Sequence, residues 1–355
     1  MSSAMKKIQV VLLILIAGML TVSGCAMIAG KEDDGAPLQP SLNISFVETL
    51  RNAKSLQGES YRDASGATDP AGSLQHPGSV YADQFRVYVV DTSPSILPSP
   101  GRIFIFDRGD RKLTKLDGTS SPLDEVKLLA PAGIVVDAVG TIYVSDAQQG
   151  RVFGYDGNGK LLWLLGRATA ITSKQGLGDF ASPAGMAVDN SKNRIYVADK
   201  HAHQVKVFSN MGSHLFDIGN SGKAGEDFKF PEAVALDQVG NIHVLDTQRL
   251  RVFTLTAEGG FLRSFSLKNA ATPGVSVRPK GIAIDSDGHV YVVDAVNNNV
   301  LIFNPDGTFL YAWGRTGTLP GDFWTPTGIF IDSHDVIYVA DQTNSRVQVF
   351  QYTKQ

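Results

Sequence analysis

The chain has 355 residues, 43% hydrophobic, 19% charged and 9% aromatic, with a formal net charge of −3 and a single cysteine. That composition excludes a disordered tail, a collagen-like or coiled-coil rod and a disulfide-stapled miniprotein. Thirty-six glycines and 16 prolines in so apolar a chain point to short elements separated by many turns, as in a β-rich globular protein.

At the N-terminus Lys6-Lys7 precedes Ile8–Val22, in which 12 of 15 residues are apolar, and Val22-Ser23-Gly24-Cys25 follows. As a helix, 15 residues rise only about 22 Å, short of the ~30 Å hydrocarbon core of a bilayer. A basic end, a short apolar run and small residues at the exit read as a secretory signal. An ordinary cleaved signal or a short anchor would share those features; the cysteine adds a third reading. Val22–Cys25 resembles the lipobox of bacterial lipoproteins, where the cysteine thiol takes a diacylglycerol as a thioether, the preceding peptide is removed and the new amine is often acylated. The resemblance implies a signal peptide over 1–24, lipid on Cys25 and a tether over 25–41, whose glycine, proline and Lys31-Glu32-Asp33-Asp34 suit a flexible linker. Two or three acyl chains meet the two-signal requirement for stable anchoring. Ala26 is not the aspartate that retains enterobacterial lipoproteins in the inner membrane, so the resemblance favours the outer membrane of a bacterial envelope.

With its one cysteine at this element, the body has no disulfide, no Cys-based metal site and no thiol nucleophile. Without Lys6 and Lys7 the 32 basic residues become 30 against 35 acidic, a net charge of −5. A mildly acidic body outside the cytoplasm is a poor nucleic-acid binder, and no nucleic-acid partner is expected.

A repeat then organises the chain. A proline recurs at Pro77, Pro131, Pro183, Pro231, Pro279 and Pro326, with spacings of 54, 52, 48, 48 and 47 residues. Six residues beyond each comes an aspartate: Asp83, Asp137, Asp189, Asp237, Asp285 and Asp332. A second β-branched and aromatic run follows, ending at Asp91, Asp146, Asp199, Asp246, Asp294 and Asp341. Each unit reads as four short strands, a to d. In the fifth these are Gly281–Ile284, Val290–Val293, Val300–Phe303 and Phe309–Trp313, with Asp285-Ser286-Asp287-Gly288 and Pro305-Asp306-Gly307 as turns. A lone four-stranded meander cannot bury both faces, so the units must stack around a centre. The prediction is an all-β fold over 42–355: a six-bladed β-propeller of four-stranded antiparallel blades. The sixth repeat stops after three strands, and Leu42–Val47 is a lone strand-like run upstream. Pairing the two completes the last blade and removes an open sheet edge.

Pro-Ala-Gly-Met-Ala-Val-Asp at 183–189, Arg-Ile-Tyr-Val-Ala-Asp at 194–199 and Gln-Val-Lys-Val-Phe at 204–208 resemble the NHL repeat. Gly178-Asp179-Phe180 and Gly321-Asp322-Phe323 before an anchor proline are also similar to that family. With the lipobox, the chain resembles bacterial six-bladed NHL-type propeller lipoproteins, and the resemblance implies a binding platform more readily than an enzyme.

The a–b and c–d turns of such a ring emerge on one face and are tight and uniform here. The b–c and d–a loops emerge on the other and are long and varied, as in Arg167–Ser182, Asn220–Phe230, Leu267–Arg278 and Arg315–Thr325. Varied loops on a rigid frame are where recognition sits. This face carries Trp324 and Arg249 as candidate contacts, while the phenylalanines of the Gly-Asp-Phe runs are expected to plug the seams. Both aspartate series are expected to be structural, as turn caps and as partners of Arg151, Gln204, Arg251, Asn299 and Arg346. Residues one past the anchors (Gly78, Ala132, Ala184, Glu232, Lys280 and Thr327) should face the channel mouth. Glu232 and Lys280 are expected to pair there and form the best small-ligand candidate. His201-Ala202-His203 offers two imidazoles without a third ligand, a weak metal site. Propeller lyases that cleave peptidyl-hydroxyglycine place zinc-binding histidines after repeat-start prolines, and calcium-dependent propeller hydrolases gather Glu, Asn and Asp at the axis. This ring has no histidine at that position and only Glu232 among such acids.

The expectation is therefore a lipid-anchored binding or scaffold propeller with no cofactor, offering its b–c/d–a face to an envelope protein, a peptide or a glycan. A metal-dependent lyase or lactonase working at the channel mouth is the alternative.

Overall fold

The computed structural model describes residues 42–51, 73–92, 101–116, 127–166, 178–219, 227–268, 270 and 274–354. The leader, Cys25 and the tether lie outside these residues. Among the described residues every regular element is a strand.

The first strand, β1 (Asn43–Leu50), stands apart from the repeat. Blade 1 follows as β2 (Pro77–Ala82), β3 (Arg86–Asp91), β4 (Arg102–Asp107) and β5 (Lys112–Leu116). Blade 2 is β6 (Pro131–Val136), β7 (Ile142–Asp146), β8 (Arg151–Tyr155) and β9 (Leu161–Leu165). Blade 3 is β10 (Pro183–Asp189), β11 (Arg194–Asp199), β12 (Gln204–Ser209) and β13 (His214–Ile218). Blade 4 is β14 (Pro231–Leu236), β15 (Ile242–Asp246), β16 (Arg251–Leu255) and β17 (Phe261–Ser266). Blade 5 is β18 (Pro279–Ile284), β19 (Val290–Asp294), β20 (Asn299–Phe303) and β21 (Phe309–Trp313). The last blade holds β22 (Pro326–Ile331), β23 (Val336–Asp341) and β24 (Arg346–Thr353), with β1 hydrogen-bonded to β24 as its fourth strand. The six sheets are antiparallel, and their first strands pack one against the next around a ring. The expected architecture and its closure are both present. The closing strand runs to Leu50 rather than Val47, because a bulge at Val47 carries the pairing on to Leu50↔Val347.

The core is divided into six clusters, one per seam. Val144 and Phe153 of blade 2 pack with Ile103 and Ile105 of blade 1, and Tyr291 and Val300 of blade 5 pack with Ile329 and Val339 of blade 6. No blade is stable alone, since each face of its sheet is finished by a neighbour.

The a–b turns show why an aspartate stands six residues past each proline. In blade 2, Asp137 accepts the Val139 and Thr141 N–H groups at 3.1 and 2.8 Å and the Tyr143 hydroxyl at 2.7 Å. Tyr88, Tyr291 and Tyr338 donate to Asp83, Asp285 and Asp332 in the same way. These carboxylates are turn caps with a buried phenol attached.

Close approach at the axis explains the glycine two past several anchors. A Cβ on Gly133 would stand 2.5 Å from the Ala184 carbonyl oxygen of the next blade, and one on Gly281 would stand 2.9 Å from that of Thr327. Backbone cannot yield there as a side-chain tip can. Gly133→Ala is expected to lower stability by about 1–3 kcal/mol in urea unfolding, the usual effect of overpacking. An unchanged midpoint would show that the inner strands have room to separate.

Candidate functional site

Each inner strand begins with a proline, whose missing N–H leaves nothing unpaired at a strand start. It stands opposite the strand-b aspartate, as in Pro131↔Asp146, and the register then slips in all six blades. Such a bulge re-aims the side chain beside it. The six residues expected at the mouth (Gly78, Ala132, Ala184, Glu232, Lys280 and Thr327) all line the central channel, a cavity of about 1180 Å³. Thr327 also closes the ring there, its hydroxyl donating to the Pro77 carbonyl at 3.0 Å.

Glu232 and Lys280 meet across the blade 4–5 boundary at 3.3 Å. A second ammonium, that of Lys200, lies 3.6 Å from the same Glu232 oxygen. The Glu232 side chain is 13% exposed. Lys200 also stands over the Phe230 ring, 5.8 Å from its centroid. Sequence reasoning missed Lys200, although its position was informative. In four blades the residue just past the strand-b aspartate lines the channel, as Thr92, Ala147, Ala295 and Gln342, and in blade 3 that residue is lysine.

The strand-b aspartates Asp91, Asp146, Asp199, Asp246, Asp294 and Asp341 are all fully buried. Each staples the d–a segment before its own blade to the blade's inner edge, and several also hold the b–c loop. Asp146 accepts Leu129 and Ala130 N–H groups at 2.6 and 3.1 Å on one oxygen, and those of Gln148 and Gln149 at 3.1 and 3.0 Å on the other. Burial pushes the Asp91 carboxyl above the ordinary aspartate value, against the His76 and Gln75 N–H bonds and Arg102 that favour its charged form. Of the five side chains expected to partner this series, only Arg346 does so, at 2.7 Å from Asp341. Arg251 turns away to Ser264, 2.8 Å from its hydroxyl. Arg151 leaves a buried Nε without a partner. Ladder register places such residues opposite the aspartate, but only side-chain packing decides whether the head groups meet.

Arg249 leans inward, its Nε 4.0 Å from Asp246 and its side chain 26% exposed. Trp324 is 48% exposed; its own N–H donates to Asp341 at 2.7 Å, so the indole is presented from a fixed backbone. Phe180, Phe228 and Phe323 are buried in the seams as expected. The two histidines part company: the His201 ring packs edge-on against Phe230 at 5.6 Å, while a ring nitrogen of His203 bonds the Lys229 carbonyl. No group of three His, Cys, Asp or Glu suited to a metal occurs among the described residues.

Residues 180–208 match the NHL repeat family, and residues 280–355 match a family described as a 6-bladed beta-propeller. The chain is a six-bladed propeller carrying NHL sequence. Over 108 residues it is 32% identical to the protein brain tumor of Drosophila melanogaster, a match covering 29% of this chain and about a tenth of that protein. Among solved structures, a streptogramin B lyase superposes with a TM-score of 0.54 at 12% identity, covering 80% of this chain and 96% of the lyase. Virginiamycin B lyase from Staphylococcus aureus gives 0.53 at 11% identity, covering 79% and 96%. A Bacteroides thetaiotaomicron protein of unknown function gives 0.56 at 13% identity, covering 86% and 76%. At such identities the likeness is one of fold.

Proposed function

We propose that the chain is a lipid-anchored, non-catalytic platform of the bacterial cell envelope, with the outer membrane favoured. Acyl chains on Cys25 hold it to the bilayer, and its b–c/d–a face engages another envelope protein, a peptide or a glycan. The observation that carries this reading is how charge is sorted on that face. Its six strand-b aspartates are sealed inside as staples, while Trp324, Arg278 and Lys229 remain exposed on loops that those staples hold still. An exposed aromatic and exposed cations on a pre-organised backbone are the usual anchors of recognition. The charged pair at the mouth, on which a catalytic reading would rest, is engaged with itself.

Capture from detergent-solubilised envelopes tests this. The wild-type chain is expected to retain a defined partner that a Trp324→Ala, Arg249→Ala chain of unchanged melting temperature loses. Recovery of nothing by the wild-type chain, or equal recovery by both, would remove the platform reading.

A further inference from the structure

The channel sorts its lining along the axis. All four charged residues that line it sit in the mouth: Lys127, Glu232, Arg278 and Lys280. Beyond the mouth the wall is built of apolar side chains such as Met186, Val234, Ile282 and Ile329, and towards the far end Leu236 and Phe330. A polar rim over an apolar bore is the general form of a small-molecule site, and about 1180 Å³ is ample for a ligand of modest size.

The sign of the rim is positive although the chain as a whole is negative. Three cations line the mouth against one carboxylate, and that carboxylate is already shared between Lys280 and Lys200. The nearby strand-b aspartates are fully buried and bound to backbone N–H groups. Among the ion pairs of the described residues, Lys127 and Arg278 have no carboxylate partner. A cationic mouth with low-dielectric walls concentrates anions.

We propose that this channel binds an amphipathic anion. A carboxylate or phosphate head is held by Lys280 and Arg278 at blade 5, Lys127 adds positive charge from across the mouth, and an aliphatic or aromatic body lies in the bore. Lys280 has three N–H donors and gives one to Glu232, which leaves donors for the head group. Arg278 is fixed at its backbone by Asp294, 2.9 Å away, so its guanidinium is tethered at the rim with the fork geometry that suits either oxyanion. This inference goes beyond the platform reading and stands without it, because a ligand in the bore requires no macromolecular partner.

The test is titration calorimetry on the full chain in zwitterionic nanodiscs, with empty nanodiscs subtracted, against octanoate, octyl phosphate, octylammonium and acetate. Octanoate and octyl phosphate are expected to bind saturably at one per chain and more weakly as salt rises. Octylammonium and acetate should bind at least tenfold more weakly, the first for its charge and the second for its missing apolar body. Lys280→Ala with Arg278→Ala should weaken octanoate at least tenfold, and Lys280→Glu, which leaves two cations against two carboxylates at the rim, should abolish the preference for octanoate over octylammonium. Equal binding of the two octyl amphiphiles, acetate matching octanoate, or no binding at all would each overturn the proposal. Partner capture reads only macromolecules, so the two readings fail separately.

Discussion

Arg346→Ala is expected to destabilise the propeller by about 3–5 kcal/mol, the range seen when one member of a buried ion pair is removed. The side chain is 1% exposed, and its guanidinium is used in nearly every direction. Nε donates to Asp341 at 2.7 Å, Nη1 to the Thr318 carbonyl at 2.8 Å, and Nη2 to the Leu319 and Asp322 carbonyls at 3.1 and 2.8 Å. Alanine leaves the fully buried Asp341 carboxylate and the buried Asp322 carbonyl without those donors, while the Thr318 and Leu319 carbonyls belong to exposed residues that water can serve. Gln348 cannot take over: its amide nitrogen already donates to Asp322 and Asp341, and its oxygen already accepts from Gly321. Arg346→Lys keeps the charge but not the fork, so it should fall between the two. Urea unfolding of the three chains checks the order. A loss below about 1 kcal/mol for alanine would mean that the Asp341 network closes over the gap, contrary to the cost of an unpaired buried charge. The same loop presents Trp324, so the alanine chain should also lose partner capture before it loses its fold.

The ring was legible because its information is local. Proline, turn aspartate and the β-branched run between them recur at fixed offsets, and each copy specifies its own meander. Residues one past the anchor could be placed at the mouth from that offset alone, and Glu232 and Lys280 meet as their adjacent blades require. What the spacing could not convey was the direction of long side chains across loops. Lys200 reaches Glu232 from a different blade, Arg251 turns to Ser264, and His201 and His203 point to different neighbours. The bulge after every proline was equally hidden, since a slip in pairing depends on both strands and on the next blade pressing against them. Strand existence follows from the chain's own pattern, and a binding constellation follows from packing between blades.

Removing residues 42–50 should cost the fold most of its stability, and the reason is topological. Blade 6 receives three strands from its own repeat, and its fourth comes from the opposite end of the chain. That strand pairs with β24 from Asn43↔Thr353 to Leu50↔Val347, with a one-residue slip at Val47. Leu50 is buried with Val347, Phe104 and Leu113 in the seam to blade 1, Phe46 meets Phe350 edge-on at 5.7 Å, and Glu48 lies 3.4 Å from Arg111 of blade 1. Leu50→Ala alone should cost about 2–5 kcal/mol as a cavity in a shared core. The deletion would also bare β24 as a sheet edge, a template for aggregation. A truncated chain is therefore expected to unfold at much lower urea and to associate on heating, read by denaturation and light scattering. If position in space rather than order in the chain is what matters, the loss is repairable. In the other five blades strand c leads to strand d through a tight turn. A permuted chain that carries residues 42–50 after Gln355 through an Asn-Pro-Asp-Gly turn, copied from 304–307, should recover most of the stability as an ordinary meander. Failure of that permutant to recover, with its far-ultraviolet spectrum intact, would show that joining the two chain ends, rather than merely filling the fourth place in blade 6, holds the ring closed.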